Sequence, residues 1–153
     1  MEKIFLLFMR VGFQIGTILL IFMSCKTDIG KGESNRKEEI ITVLDLQAEA
    51  WNKGDIASFM KGYEKSDSLQ FITKRGRTLG WTQVFTNYSK HYPTQKEMGK
   101  LYFENLIITD LSDSLSQVYG NWKLDKDSIV GGNFSLIMKL KNKEWKIIID
   151  HTW

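Results

Sequence analysis

The apolar positions of this chain follow two periods. Ile40, Ile41, Val43, Leu44, Leu46, Ala48 and Trp51 recur at helical spacing, while Arg36, Lys37, Glu38, Glu39, Asp45, Gln47 and Glu49 fill the other face. The pattern predicts a first helix capped near Ser34 or Asn35 and closed at Gly54, which can take the left-handed conformation that ends helices. Asp55 caps a short second helix from Ile56 to about Gly62, with Phe59 and Met60 inward. Leu69 to Thr73 reads as a strand, and Lys74-Arg75-Gly76-Arg77 as a basic turn after it. A third helix from Thr82 to His91 has Trp81, Val84, Phe85 and Tyr88 at compatible spacing and stops before Pro93. From there the period is two. Leu101 to Thr109, Leu115 to Leu124, Asn133 to Leu140 and Trp145 to Trp153 are four successive strands, joined by turns that favour an antiparallel meander with one face under the helices.

The last of these strands holds three consecutive β-branched residues, Ile147, Ile148 and Ile149, so both its faces need cover, which suggests a central place in the sheet. Strict alternation puts Trp145, Ile147, Ile149, His151 and Trp153 on one face and Lys146, Ile148, Asp150 and Thr152 on the other. If the first face lines a cavity, His151 is its most versatile member chemically. The same alternation separates Asp150 from His151, which argues against a dyad between these neighbours.

The first 25 residues read as an address. Positive charge up to Arg10 precedes an apolar run from Val11 to Met23, about 13 residues against the roughly 20 that a membrane-spanning helix needs. Ser24-Cys25 follows, and a small residue before a lone cysteine there resembles the lipobox of bacterial lipoproteins. That resemblance implies a signal peptide over 1–24 and a diacylglycerol on Cys25, with Phe22 and Met23 departing from the motif's preferred residues. An uncleaved anchor helix from Ile4 to Met23 is the alternative, at the cost of placing Arg10 in the bilayer; a buried thiol at Cys25 is another. Met9 is an alternative start. Residues 25–36 hold two glycines and almost nothing apolar, and so read as a tether before a domain over 37–153. Lys26 after the cysteine favours the outer membrane, by resemblance to enterobacterial sorting.

Charge narrows the classes further. The formal charge of +3 falls by one when Lys3, Arg10 and Glu2 are set aside, and the remaining cations are interleaved with acids, which is not the footprint of a nucleic-acid binder. With a single cysteine no disulfide can form within the chain. Two distant histidines and that cysteine offer no metal-ligand set, and no phosphate loop, dinucleotide fingerprint or nucleophile motif is present, so no cofactor is expected.

The element order resembles the nuclear-transport-factor-2-like fold, an α+β architecture in which a curved antiparallel sheet wraps three helices into a cone with a pocket. Ala50-Trp51-Asn52-Lys53-Gly54-Asp55 is similar to the helix junction of its SnoaL-like branch, Gly80-Trp81, Tyr88 and Tyr92-Pro93 to its third helix. Met98 to Leu101, Gly120-Asn121-Trp122, Gly131 to Leu136 and the final strand are similar to its sheet. The resemblance covers residues 38–153. It implies a pocket at the open end of the cone, often dimerisation through the outer sheet face, and members that include ketosteroid isomerases, cyclases and dehydratases. An isomerase of that kind needs an Asp base with a Tyr and a protonated Asp as oxyanion donors. The first helix here offers Trp51 and no Tyr. Relatives often end in a His-x-His strand, where this chain has Ile149-Asp150-His151.

Candidate pocket residues are then Trp51, Tyr63, Trp81, Tyr88, Trp122 and His151, against the alternative that the aromatics are core and His151 structural. Lys74, Arg75 and Arg77 are either a solvated turn or a reader of an anionic group, and His91 is accounted for by the helix end it occupies. The leading expectation is a lipid-anchored bacterial envelope protein that binds a small, largely apolar molecule. The alternatives are an isomerase, cyclase or dehydratase using His151 as general acid and base, or a homodimeric interaction module.

Overall fold

The computed structural model describes residues 29–153. The expected signal peptide and the expected lipidation site, Cys25, lie outside them. Helix α1 spans Ile29–Asn52, and α2, Ile56–Phe59, continues into a 3-10 turn over Met60–Gly62. A hairpin of β1 (Gln70–Thr73) and β2 (Gly76–Leu79) follows, then α3 (Trp81–His91), the one-turn α4 (Gln95–Met98) and four long strands: β3 Lys100–Ser112, β4 Leu115–Asp125, β5 Ile129–Lys141 and β6 Glu144–Thr152. One six-stranded sheet has the order β2-β1-β6-β5-β4-β3, antiparallel except where β1 runs parallel to β6. The helices cover the concave face of this curved sheet, as expected for the cone.

Two expectations need correction here. Helix α1 begins at Ile29, ahead of the expected cap and within the stretch read as a tether, and Arg36 is docked on the sheet through an ion pair to Asp110 at 2.9 Å. Gln47 is not on the outer face of α1. Ile40, Leu44, Gln47 and Trp51, spaced by four, three and four residues, form the buried stripe, whereas Ile41 and Leu46 are exposed. The Gln47 amide donates to the Phe59 carbonyl at 3.1 Å, and Gly62 leaves room for it, since a Cβ there would lie 2.5 Å from the Gln47 side chain. Composition alone placed Gln47 outside; its helical angle places it within, and a backbone carbonyl satisfies it.

Asn52 ties the end of α1 to the start of β3. Its Nδ2 donates to the Leu101 carbonyl at 3.1 Å and its Oδ1 accepts from the Leu101 N–H at 2.6 Å. Asn52→Ala strands both buried groups, and is expected to destabilise the domain by about 2 kcal/mol, lowering Tm by roughly 5–10 °C in a thermal melt. An unchanged Tm would show that this clasp does not hold the sheet to the helix.

Candidate functional site

A cavity of about 680 Å³ lies between α1, α3 and the concave sheet face. Its walls are aromatic because the helices bring rings onto one another: Trp51 meets Tyr92, Phe59 and Tyr88 edge-on at centroid distances of 4.8, 5.1 and 5.9 Å, and Tyr88 meets Phe71 at 5.6 Å. The Trp51 indole donates to the Met98 carbonyl at 3.2 Å, which fixes its plane. Trp122 comes from β4, opposite Gly132 on β5, where a Cβ would sit 3.0 Å from the Trp122 indole nitrogen. That indole N–H is buried and has no protein acceptor, the only such side-chain atom among the described residues.

The polar floor comes from β6, and it is not the histidine. Met138 pairs with Ile147 and Ile137 with Ile149, so Ile148 is an extra residue in β6. A bulge of this kind turns over the faces of all that follows. Trp145 and Ile147 point inward before it; Asp150 and Thr152 do so after it, with Asp150 only 5% exposed. His151 is exposed on the outer face, 4.8 Å from the Trp153 ring, and does not line the cavity. The expected faces are therefore exchanged beyond Ile148, although Asp150 and His151 remain on opposite sides.

The Tyr63 hydroxyl donates to Asp150 Oδ2 at 2.8 Å and Thr152 Oγ1 donates to Asp150 Oδ1 at 3.0 Å. Burial pushes the Asp150 carboxyl up to about 6, against the two hydroxyl donors and the His151 charge, which pull it down. Tyr63 and Tyr88 are both held well above the usual phenol range, first by burial and then by the neighbouring Asp150 charge, so both remain protonated donors. The floor thus offers a carboxyl that changes charge near neutral pH with two phenols beside it.

Of the other expected site residues, Trp51, Tyr63, Tyr88 and Trp122 line the cavity. Trp81 does not: its ring stacks on Phe85 at 5.2 Å, its indole donates to the Met60 carbonyl at 3.1 Å, and Lys65 lies over its face. That hydrogen bond and the Phe85 stack hold its ring outside the cavity wall. His91 does line the mouth, its Nδ1 donating to the Asn87 carbonyl at 2.7 Å. Asp150 and Thr152 were missed because three consecutive isoleucines carry no alternation signal, so nothing marks a change of phase within them. Among the described residues no cluster of His, Cys, Asp or Glu could hold a metal, and no helix is long and apolar enough to cross a membrane.

No family model and no curated protein matches the sequence. Solved structures do. A nuclear-transport-factor-2-like protein of unknown function from Shewanella oneidensis MR-1 is 31% identical, over 76% of this chain and 98% of that one, with a TM-score of 0.74. A superfamily protein of the same kind from Salmonella enterica serovar Typhimurium is 19% identical over 79% and 92% of the two chains, with a TM-score of 0.65. LinA is 12% identical over 80% and 88%, with a TM-score of 0.66; at such identity the likeness is one of fold.

The Asp150 carboxyl gives the fold a pH signature. Its folded pKa of about 6 lies above its unfolded value near 3.8, so the group favours the folded state below pH ~4 and this contribution is lost as pH rises through about 6. At about 1.4 kcal/mol per pKa unit, ionising it in the fold costs on the order of 2–3 kcal/mol. The near-isosteric Asp150→Asn is expected to be the more stable protein at pH 8 and to lose this part of the decline in Tm between pH 4 and 7. Parallel melting curves for the two proteins would place the titration elsewhere.

Proposed function

Since this chain belongs to the nuclear-transport-factor-2-like superfamily, we propose that its cavity binds a small, largely apolar molecule, with Asp150 and Tyr63 fixing one polar group of it. The family has ligand-binding and enzymatic members, and the fold does not choose between them. The observation that carries the proposal is a buried carboxyl on the floor of an otherwise aromatic space. A cavity of about 680 Å³ is within the range that small-molecule sites occupy. Burying Asp150 opposes folding, and a pure packing core would gain by replacing it. A hydroxyl or carbonyl on a ligand would complete the Asp150–Tyr63–Thr152 network, and the unpartnered Trp122 N–H offers a further donor.

A second reading is favoured by one observation, the carboxyl held near pH 6. A group in that range exchanges protons efficiently at neutral pH, and in its neutral form it can donate to a developing oxyanion. On this reading the protein is an isomerase, cyclase or dehydratase in which Asp150, rather than His151, is the acid and base. The outward position of His151 supports that substitution of roles. The anchoring reading rests on the leader sequence: a lipidated Cys25 would hold the domain at the bacterial envelope, at the outer membrane.

Titrating the protein with apolar ligands is expected to quench or shift the fluorescence of Trp51 and Trp122, and Asp150→Asn or Tyr63→Phe to weaken a hydroxylated ligand about tenfold while leaving its hydrocarbon analogue unchanged. Equal weakening of both would remove the polar pair from recognition, and an unaltered spectrum with every ligand would remove the cavity. For the anchor, Cys25→Ala is expected to abolish incorporation of radiolabelled fatty acid in the bacterial host; continued labelling would refute it.

A further inference from the structure

We propose that the molecule held in this cavity is an amphipathic organic anion, with its apolar body among the aromatic rings and its oxyanion on the β1–β2 turn at Lys74, Arg75 and Arg77. The inference rests on the cavity reading above and names the class of ligand.

Geometry connects the two ends. The same cavity that has Asp150 in its lining is also lined by Thr73, Lys74, Arg75 and Arg77 of the hairpin. Because β1 lies parallel to β6 with Phe71 opposite Asp150, the Lys74-Arg75 turn stands at the mouth, roughly 10 Å from the carboxyl at about 3.3 Å per strand residue. The tip is open to an incoming group, since a Cβ on Gly76 would meet nothing within 4 Å.

Charge then sets the orientation. Among the described residues Asp150 is the only acidic side chain lining the cavity, and it lies at the floor. Three cations stand at the rim, and no carboxylate pairs with any of them among the described residues; Arg77 reaches only the Gln70 side-chain oxygen, at 3.4 Å. Unpaired guanidinium forks at the mouth of a low-dielectric space match an oxyanion geometrically and draw it there. The floor does the opposite. An ionised Asp150 repels a second anion, and a neutral one offers its hydrogen bonds to a hydroxyl or carbonyl. A ligand with one charged end therefore enters with that end outward.

Two fluorescent probes with the same aryl body separate the terms: 8-anilinonaphthalene-1-sulfonate, an anion, and N-phenyl-1-naphthylamine, its neutral counterpart. The full chain and the Lys74→Ala, Arg75→Ala, Arg77→Ala triple variant are titrated with each, with Arg75→Glu as a single-site variant that perturbs the hairpin less. The expected result is about 5- to 20-fold weaker sulfonate binding to the triple variant, with the amine unchanged. The same preference is expected to shrink between ~20 and ~500 mM salt. If the sulfonate binds wild type and both variants equally while the amine still binds, the rim is a solvated turn and the anion proposal is overturned with the cavity reading intact. If neither probe binds, both are overturned.

Discussion

At Ile148 the β5–β6 ladder carries one more residue on β6 than on β5, and the side chains beyond it are turned over. Without that residue Asp150 would face the outer surface and His151 the cavity. With it, the floor acquires a carboxyl between two hydroxyl donors, and the imidazole is left beside Trp153 at the outer face. The polarity of the cavity, the raised Asp150 pKa and the pH response expected of the fold all descend from this bulge.

The aromatic cage supplies the other half of the arrangement. Trp51, Phe59, Tyr88 and Tyr92 hold one another edge-on across three helical elements, so the walls support themselves around a space that the side chains do not fill. A carboxyl in such surroundings is expensive to ionise, and the same desolvation that raises Asp150 also keeps Tyr63 and Tyr88 protonated. Polar groups in low dielectric interact strongly, in favour of a matched ligand and against a mismatched one. An apolar ligand with one hydroxyl or carbonyl suits that floor, and a charged tail suits only the rim.

The likeness to the Shewanella protein runs over nearly the whole of that chain, and it identifies the family without naming a ligand. Distant neighbours such as LinA share the cone at 12% identity, where residue-by-residue transfer has no footing. The polar positions that line this cavity include Asp150, Tyr63, Tyr88 and the basic hairpin.

Much of the architecture was legible from pattern alone. The helix junction at Trp51 to Asp55, the helix ending before Pro93 and the four long strands all follow from periodicity and stop signals that act over a few residues, and the three isoleucines correctly marked β6 as central. The parallel pairing of β1 with β6, the inward turn of Gln47 and the packing of Trp81 on Met60 instead of into the cavity were not, because each depends on a partner distant in the chain. The site divided in the same way. Trp51, Tyr63, Tyr88 and Trp122 were readable as cavity residues from element order and aromatic character. Which of Asp150 and His151 faces the cavity was not. Ile147, Ile148 and Ile149 suit either face of a strand, so local chemistry is indifferent to the phase, and only the register against β5 decides it.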